Sequence, residues 1–202
     1  SLSFRQPASS KKVEKVKAHF QLPKNFMLYV GNLTERKGLQ ELIQAFALLP
    51  KDSRIPLVIV GRGKRYKQKL VARIQQLKVQ SEIIFCEDIN NHSLPAFYQA
   101  AKIFVYPSRY EGFGLPIVES LQMGTAVIST HASAIPQTAG PGALLAHPRS
   151  AESLAECLQK LLDDSSLRQM LVDKGRAYYK EQFEPQVLSR QLNGLYQEIL
   201  GL

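Results

Sequence analysis

The sequence predicts an α/β fold built on a doubly wound parallel sheet, and three observations predict it. Short apolar runs at residues 26–30, 55–60, 82–86, 103–106, 126–129 and 143–145 alternate with stretches of helical spacing. Within most runs the apolar residues are continuous, the mark of strands covered on both faces. Glycines then follow the runs (Gly31, Gly61 and Gly63, Gly112 and Gly114), at the strand ends where such sheets bind ligands.

Residues 1–10 are polar and contain Ser and Pro, so they read as a linker. Residues 11–20 suit a short amphipathic helix with Val13, Val16 and Phe20 on one face, stopped by Pro23. A first strand at 26–30 runs into the loop 31–38, which carries Arg36 and Lys37. Leu39, Leu42, Ile43, Phe46 and Leu49 mark a helix face that ends before Pro50. The strand 55–60, the loop Gly61-Arg62-Gly63 and a helix at 66–77 through Leu70, Ile74 and Leu77 repeat the unit. A strand at 82–86 and a helix at 94–101 lead to the strand 103–106. A helix with Ile117, Val118, Leu121 and Met123 on its apolar face runs to Gly124, and strands at 126–129 and 143–145 complete the sheet. Ser150 caps a helix bearing Leu154, Leu158, Leu161 and Leu162, and two more helices are expected at 167–179 and 185–200.

The 202 residues are one domain's worth, with a boundary expected after residue 22, and can bury a real core. A hydrophobic fraction of 45% and a charged fraction of 21% are those of a globular protein, and no apolar run is long enough to span a bilayer. Cys86 and Cys157 lack disulfide or metal spacing and read as reduced core residues, so the expected location is cytoplasmic. Neither the cysteines nor the four histidines predict a metal site, and no cofactor is expected. The net charge of +9 asks for an anionic partner, and Arg36, Lys37 and the basic stretch 62–69 each follow a strand. The aromatic–basic interleaving that stacks bases is absent, so no specific nucleic acid is expected.

Residues 108–119 carry the chemistry. Gly112 and Gly114, without Cβ atoms, are expected to turn the backbone tightly and bring it close to a ligand. Pro116 suits the first turn of the helix that follows, and its missing N–H costs nothing there. Glu111 falls in the turn and Glu119 in the expected first helical turn, so two carboxylates flank one cradle at the positive end of a helix. That is the outline of a polyol-phosphate site. The first strand is followed by one glycine and a basic loop, neither a G-x-G-x-x-G dinucleotide fingerprint nor a Walker phosphate loop.

Several motifs in this order carry a resemblance: Tyr29-Val30-Gly31 with Arg36-Lys37-Gly38, the strand ending in Gly61-Arg62-Gly63, and Tyr98 with Tyr106-Pro107-Ser108. The stretch from Glu111 through Gly114 and Pro116 to Glu119, and Gly124-Thr125-Ala126-Val127-Ile128, complete the set. Together they resemble the donor-binding, C-terminal half of a GT-B-fold retaining glycosyltransferase, glycosyltransferase family 4. The resemblance implies a Rossmann-like sheet, one half of a GT-B fold, with extra C-terminal helices. It implies a metal-independent hexosyltransferase-like enzyme that takes a sugar from a UDP-, GDP- or ADP-linked donor in polysaccharide or glycolipid biosynthesis.

By the same resemblance Lys37 would meet the donor's diphosphate and Glu111 the transferred sugar, both as catalytic residues. The backbone of Gly112, Phe113, Gly114 and Leu115 would hold sugar and distal phosphate, and Glu119 the ribose. Gly61, Gly63, Cys86 and Glu87 would border the base, and Gly31 would also belong to the donor site. Asn32 stands where many members have an arginine as a second diphosphate cation; either Arg36 or another basic side chain would compensate, or Lys37 with the helix dipole would serve alone. The resemblance also implies an N-terminal acceptor domain absent from these residues, inactivity of this piece alone, and peripheral association of the full enzyme with the inner membrane face. A stand-alone nucleotide- or sugar-binding module, a GT-B-fold sugar-nucleotide epimerase and non-specific nucleic-acid binding are the alternatives.

Overall fold

The structure is a computed structural model and describes Phe4 and residues 7–200. The apolar runs form six parallel strands among these residues: β1 (Met27–Val30), β2 (Leu57–Val60), β3 (Ile83–Cys86), β4 (Ile103–Tyr106), β5 (Ala126–Thr130) and β6 (Ala143–Ala146). Their order is β3-β2-β1-β4-β5-β6, the Rossmann-like arrangement, with β1 paired to both β2 and β4. β1, β2, β4 and β5 are buried along their whole length, as their continuous apolar sequences require. The strand order reverses between β1 and β4, so the helices that follow these two strands lie on opposite faces of the sheet and a crevice opens at the strands' carboxyl ends.

The helices are α1 (Ser10–His19), α2 (Leu39–Leu48), α3 (Lys64–Gln76), α4 (Leu94–Ala100), α5 (Leu115–Met123), α6 (Ile135–Ala139), α7 (Ala151–Asp163), α8 (Ser165–Gln182) and α9 (Pro185–Leu200). Right-handed crossovers put α2 and α3 on one face of the sheet and α4, α5 and α6 on the other. α7 packs on α2, while α1 packs on α4 and α8 on α5, so both faces are covered. Ser9 and Ser150 cap α1 and α7 through their side chains. α1 buries Val16, and Phe20 beyond it meets Phe97 of α4 with ring centroids 5.1 Å apart. Half of the expected linker at 1–10 (residues 1–3, 5 and 6) lies outside the described residues; in the other half Phe4 is buried against Tyr98, Ala8 N donates to Gln99 Oε1 at 2.7 Å, and Ser10 opens α1. The exposed face of α9 carries Leu188, Leu192, Leu195, Tyr196 and Ile199.

Several boundaries differ from the sequence expectation. β2 begins at Leu57 rather than at residue 55, because Pro56 has no N–H for the ladder, although its carbonyl accepts from Met27 N at 2.9 Å. Glu82 belongs to a 3₁₀ turn before β3. α3 begins at Lys64, directly after Gly63. α8 runs from Ser165, capped by the Asp164 side chain, to Gln182, beyond both expected ends. α6 was not expected at all; its five residues are too few for a periodic signal. α5 begins at Leu115, so Glu119 lies in the second helical turn, where it adds little to the helix dipole.

Leu158 of α7 is fully buried in the layer formed with α2. Truncation to Ala removes methyl groups that the surroundings replace only in part. Leu158→Ala is expected to cost about 2–5 kcal/mol of unfolding free energy in urea titrations, and a loss below about 1 kcal/mol would contradict this packing.

Candidate functional site

The site forms where the loops after β1 and β4 meet. After β1 the chain makes a 3₁₀ turn, Glu35–Lys37, closed by Gly38 in the left-handed region at φ 66°. A Cβ on Gly38 would stand 1.9 Å from the Pro107 carbonyl oxygen, so only glycine lets this turn press against the loop after β4. Two hydrogen bonds to the Arg36 carbonyl hold the contact, from Arg109 N at 2.8 Å and Ser108 Oγ at 3.2 Å. Arg36 Nη1 in turn donates to the Tyr110 carbonyl.

This contact delivers the Lys37 ammonium to Glu111. Lys37 Nζ lies 2.5 Å from Glu111 Oε1 and 2.5 Å from the Tyr106 hydroxyl. The same carboxylate oxygen accepts from Ser108 Oγ at 2.6 Å and Tyr106 Oη at 3.0 Å, and Arg36 Nη1 is 3.0 Å away. Both Lys37 and Glu111 are buried. The Glu111 backbone is held separately: Ser133 Oγ accepts from its N–H at 2.9 Å and donates to its carbonyl at 2.8 Å. Thr138 of α6 donates to the Phe113 carbonyl.

Burial pushes the Glu111 carboxyl up, but the hydrogen bonds from Lys37 and Ser108, the Lys37 charge and the Tyr106 hydroxyl together outweigh it. Glu111 therefore ionises below the usual carboxylate range. Glu119 behaves oppositely. Burial raises its pKa, and the hydrogen bond from the Tyr98 hydroxyl at 2.9 Å offsets only part of the rise. Burial, then the Glu111 charge, also raises the Tyr106 hydroxyl, which stays a protonated donor.

A cleft of about 480 Å³ opens over the pair, lined by Gly31, Asn32, Arg36, Lys37, Tyr106, Glu111 and the segment from Phe113 to Pro116. The uncapped start of α5 faces it: Gly114, at φ 99°, is the N-cap, with no side-chain hydrogen bond there. Arg36 and Lys37 both line this cleft, as does Asn32. A smaller cleft of about 190 Å³ shares Gly31 and Asn32 and adds Gly61, Arg62, Cys86 and Asp88.

Four expected positions fall elsewhere. Glu119 lines a neighbouring cleft that shares Phe113 and Leu115 with the first, so the two carboxylates lie in adjacent hollows rather than one cradle. Gly63 and Glu87 border a groove beside α3, where Glu87 pairs with Lys67 at 2.7 Å. Gly112 has ordinary negative φ, and no heavy atom lies within 4 Å of where its Cβ would be, so the fold itself does not require glycine there.

Tyr106, Ser108 and Ser133 anchor Glu111, yet sequence reading assigned them no such role. Ser108 stands three residues before Glu111, a local signal that was available. Ser133 had none, because 22 residues and a strand separate it from Glu111. Among the described residues, no three His, Cys, Asp or Glu side chains stand together as a metal would use. No described helix is long and apolar enough to cross a membrane.

Residues 10–178 match the family model described as Glycosyl transferases group 1. The O-antigen chain mannosyltransferase B of Escherichia coli is 32% identical over 158 residues, covering 77% of this chain and 42% of that protein. The crystallised C-terminal domain of a group 1 glycosyl transferase family protein, LpcC from Francisella tularensis, superposes with a TM-score of 0.76 at 28% identity. That match covers 89% of this chain and 95% of the LpcC chain. Sucrose-phosphate synthase from Thermosynechococcus elongatus gives a TM-score of 0.84 at 27% identity, with all of this chain on 51% of that one. The chain therefore spans about half or less of the mannosyltransferase and of the sucrose-phosphate synthase chain.

The opposite shifts of the two glutamates make a signed prediction. The Glu111 contribution to stability is present above the ordinary carboxylate pKa and is lost as pH falls through its depressed folded value. The Glu119 contribution is present below the ordinary value and is lost as pH rises through its raised one. In urea midpoints measured across pH, Glu111→Gln should flatten the acid limb. Glu119→Gln should remove the decline on the rising side. Profiles parallel to wild type in both variants would contradict the assignment.

Proposed function

The chain belongs to the glycosyl transferases group 1, and from that premise we propose that it is the donor-binding half of a retaining, family 4 enzyme of the GT-B fold. The full enzyme moves a sugar from a nucleoside-diphosphate donor to a hydroxyl acceptor. The bond between the anomeric carbon and the distal phosphate oxygen breaks, and a bond from that carbon to the acceptor oxygen forms with configuration kept. The acceptor's proton leaves with the nucleoside diphosphate. A chain spanning 42% of its mannosyltransferase relative, and matching 95% of an isolated C-terminal domain, supports a separate N-terminal acceptor half.

One observation carries the reading: the buried Lys37–Glu111 pair faces an uncapped helix start across a cleft. Lys37, Arg36 and the α5 dipole stabilise the negative charge that grows on the leaving diphosphate, so no metal ion is needed. Glu111 is ionised, and Oε1 takes its hydrogen bonds from the protein. Oε2 is then the oxygen for the hydroxyls of the transferred sugar. The smaller cleft beside Gly61 and Cys86 borders the base, and Glu119 takes the ribose.

Calorimetric titration with UDP, GDP and ADP tests the proposal. At least one should bind, and Lys37→Ala should weaken it about ten- to a hundredfold, the value of a charge-assisted hydrogen bond. No binding at millimolar ligand, or equal affinity in the folded variant, would overturn it.

A further inference from the structure

Arg109 is a cation two residues from Glu111, beside a cleft built for an anion, yet it does not line that cleft. Its guanidinium points behind the loop. Nε and Nη2 reach Glu41 Oε1 at 3.0 and 2.6 Å, and Nη1 reaches Glu35 Oε1 at 3.2 Å. Glu35 opens the turn that carries Lys37, and Glu41 lies in the first turn of α2, immediately after it. The Arg109 backbone N–H is bonded to the Arg36 carbonyl of the same turn. One residue of the Glu111 loop thus grips the Lys37 turn by its main chain and on both flanks by its side chain.

Glu41 makes the grip specific. Its side chain is 11% exposed, and among the described residues its Oε2 is buried with no hydrogen-bond partner. A buried carboxylate in that state is held in place by its cation. We infer that Arg109 is a positioning residue, which through Glu35 and Glu41 keeps the Glu111 loop in register with the Lys37 turn and does not itself contact the donor. Arginine suits the task because its planar fork can hold two carboxylates at once, and lysine offers only a point charge. The consequence for donor binding rests on the function proposed above; the effect on the Lys37–Glu111 pair does not.

The test reads Glu111 directly, by NMR titration of the chain labelled with ¹³C at glutamate side-chain carboxyls. Arg109→Ala should move the Glu111 titration upward, because Lys37 and Arg36 drift from it while its burial persists. Arg109→Lys should restore part of the shift. Arg109→Met combined with Glu41→Met leaves no unpaired buried charge, so it should fold even if Arg109→Ala does not, and should still show the upward shift. Leu158→Ala, destabilised in the core between α7 and α2 with the Arg109 side chain left in place, should titrate as wild type.

A Glu111 titration at the wild-type position in a folded Arg109 variant would overturn the inference. So would an equal shift in Leu158→Ala, which would make it an effect of stability alone. Arg109→Ala should also weaken the bound nucleoside diphosphate about tenfold. An upward Glu111 shift in a chain that binds no nucleotide would sustain this inference while refuting the donor-binding reading.

Discussion

A lysine and a glutamate taken out of water must meet, or each carries the cost of burial alone. Exposed ion pairs are worth about 0–1 kcal/mol, whereas removing one partner of a buried pair costs about 3–5 kcal/mol. The Lys37 and Glu111 side chains are each 10% exposed, so their pairing belongs to the second case. Much of the local structure follows from this demand. Gly38 lets the Lys37 turn approach Pro107, Ser108 and Tyr106 complete the oxygen that Lys37 holds, and Ser133 fixes the backbone on which Glu111 stands.

The sheet makes the meeting possible. Because β1 pairs with both β2 and β4, the loops leaving β1 and β4 lie side by side although they are far apart in the chain. The reversal of strand order at that place leaves room for a ligand over the pair. α5 then starts at the rim with no side-chain cap, so its positive end is available to negative charge. The two glutamates that the sequence presents as equals differ in consequence. Glu111, surrounded by donors, is held ionised; Glu119, half-buried against one tyrosine hydroxyl, holds its proton more tightly.

The same logic separates cations by role. Arg36 and Lys37 face the cleft, Arg109 faces the turn behind it, and Arg62 pairs at the surface with Asp88 at 2.5 Å. Residue type and distance along the chain do not distinguish these four. What distinguishes them is which carboxylate each one finds.

By itself the sequence determined the alternation of strand and helix, the parallel sheet, the caps at Ser150 and Gly124, and the cluster of motifs around Glu111. Each of these depends on neighbours a few residues away, through apolar periodicity, a missing Cβ or a side chain within reach of its own backbone. Only the tertiary structure decided which charges touch. Lys37 and Glu111 are 74 residues apart, and Arg109 and Glu41 are 68 apart. Their contacts exist because strand order, not sequence distance, sets which loops are neighbours. For the same reason the structure put Glu119 in a hollow beside that of Glu111, set Gly63 and Glu87 along a groove beside α3, and left Gly112 without a steric need for glycine. A motif records the residues that a site uses; the side to which each of them turns is set by elements that the motif does not contain.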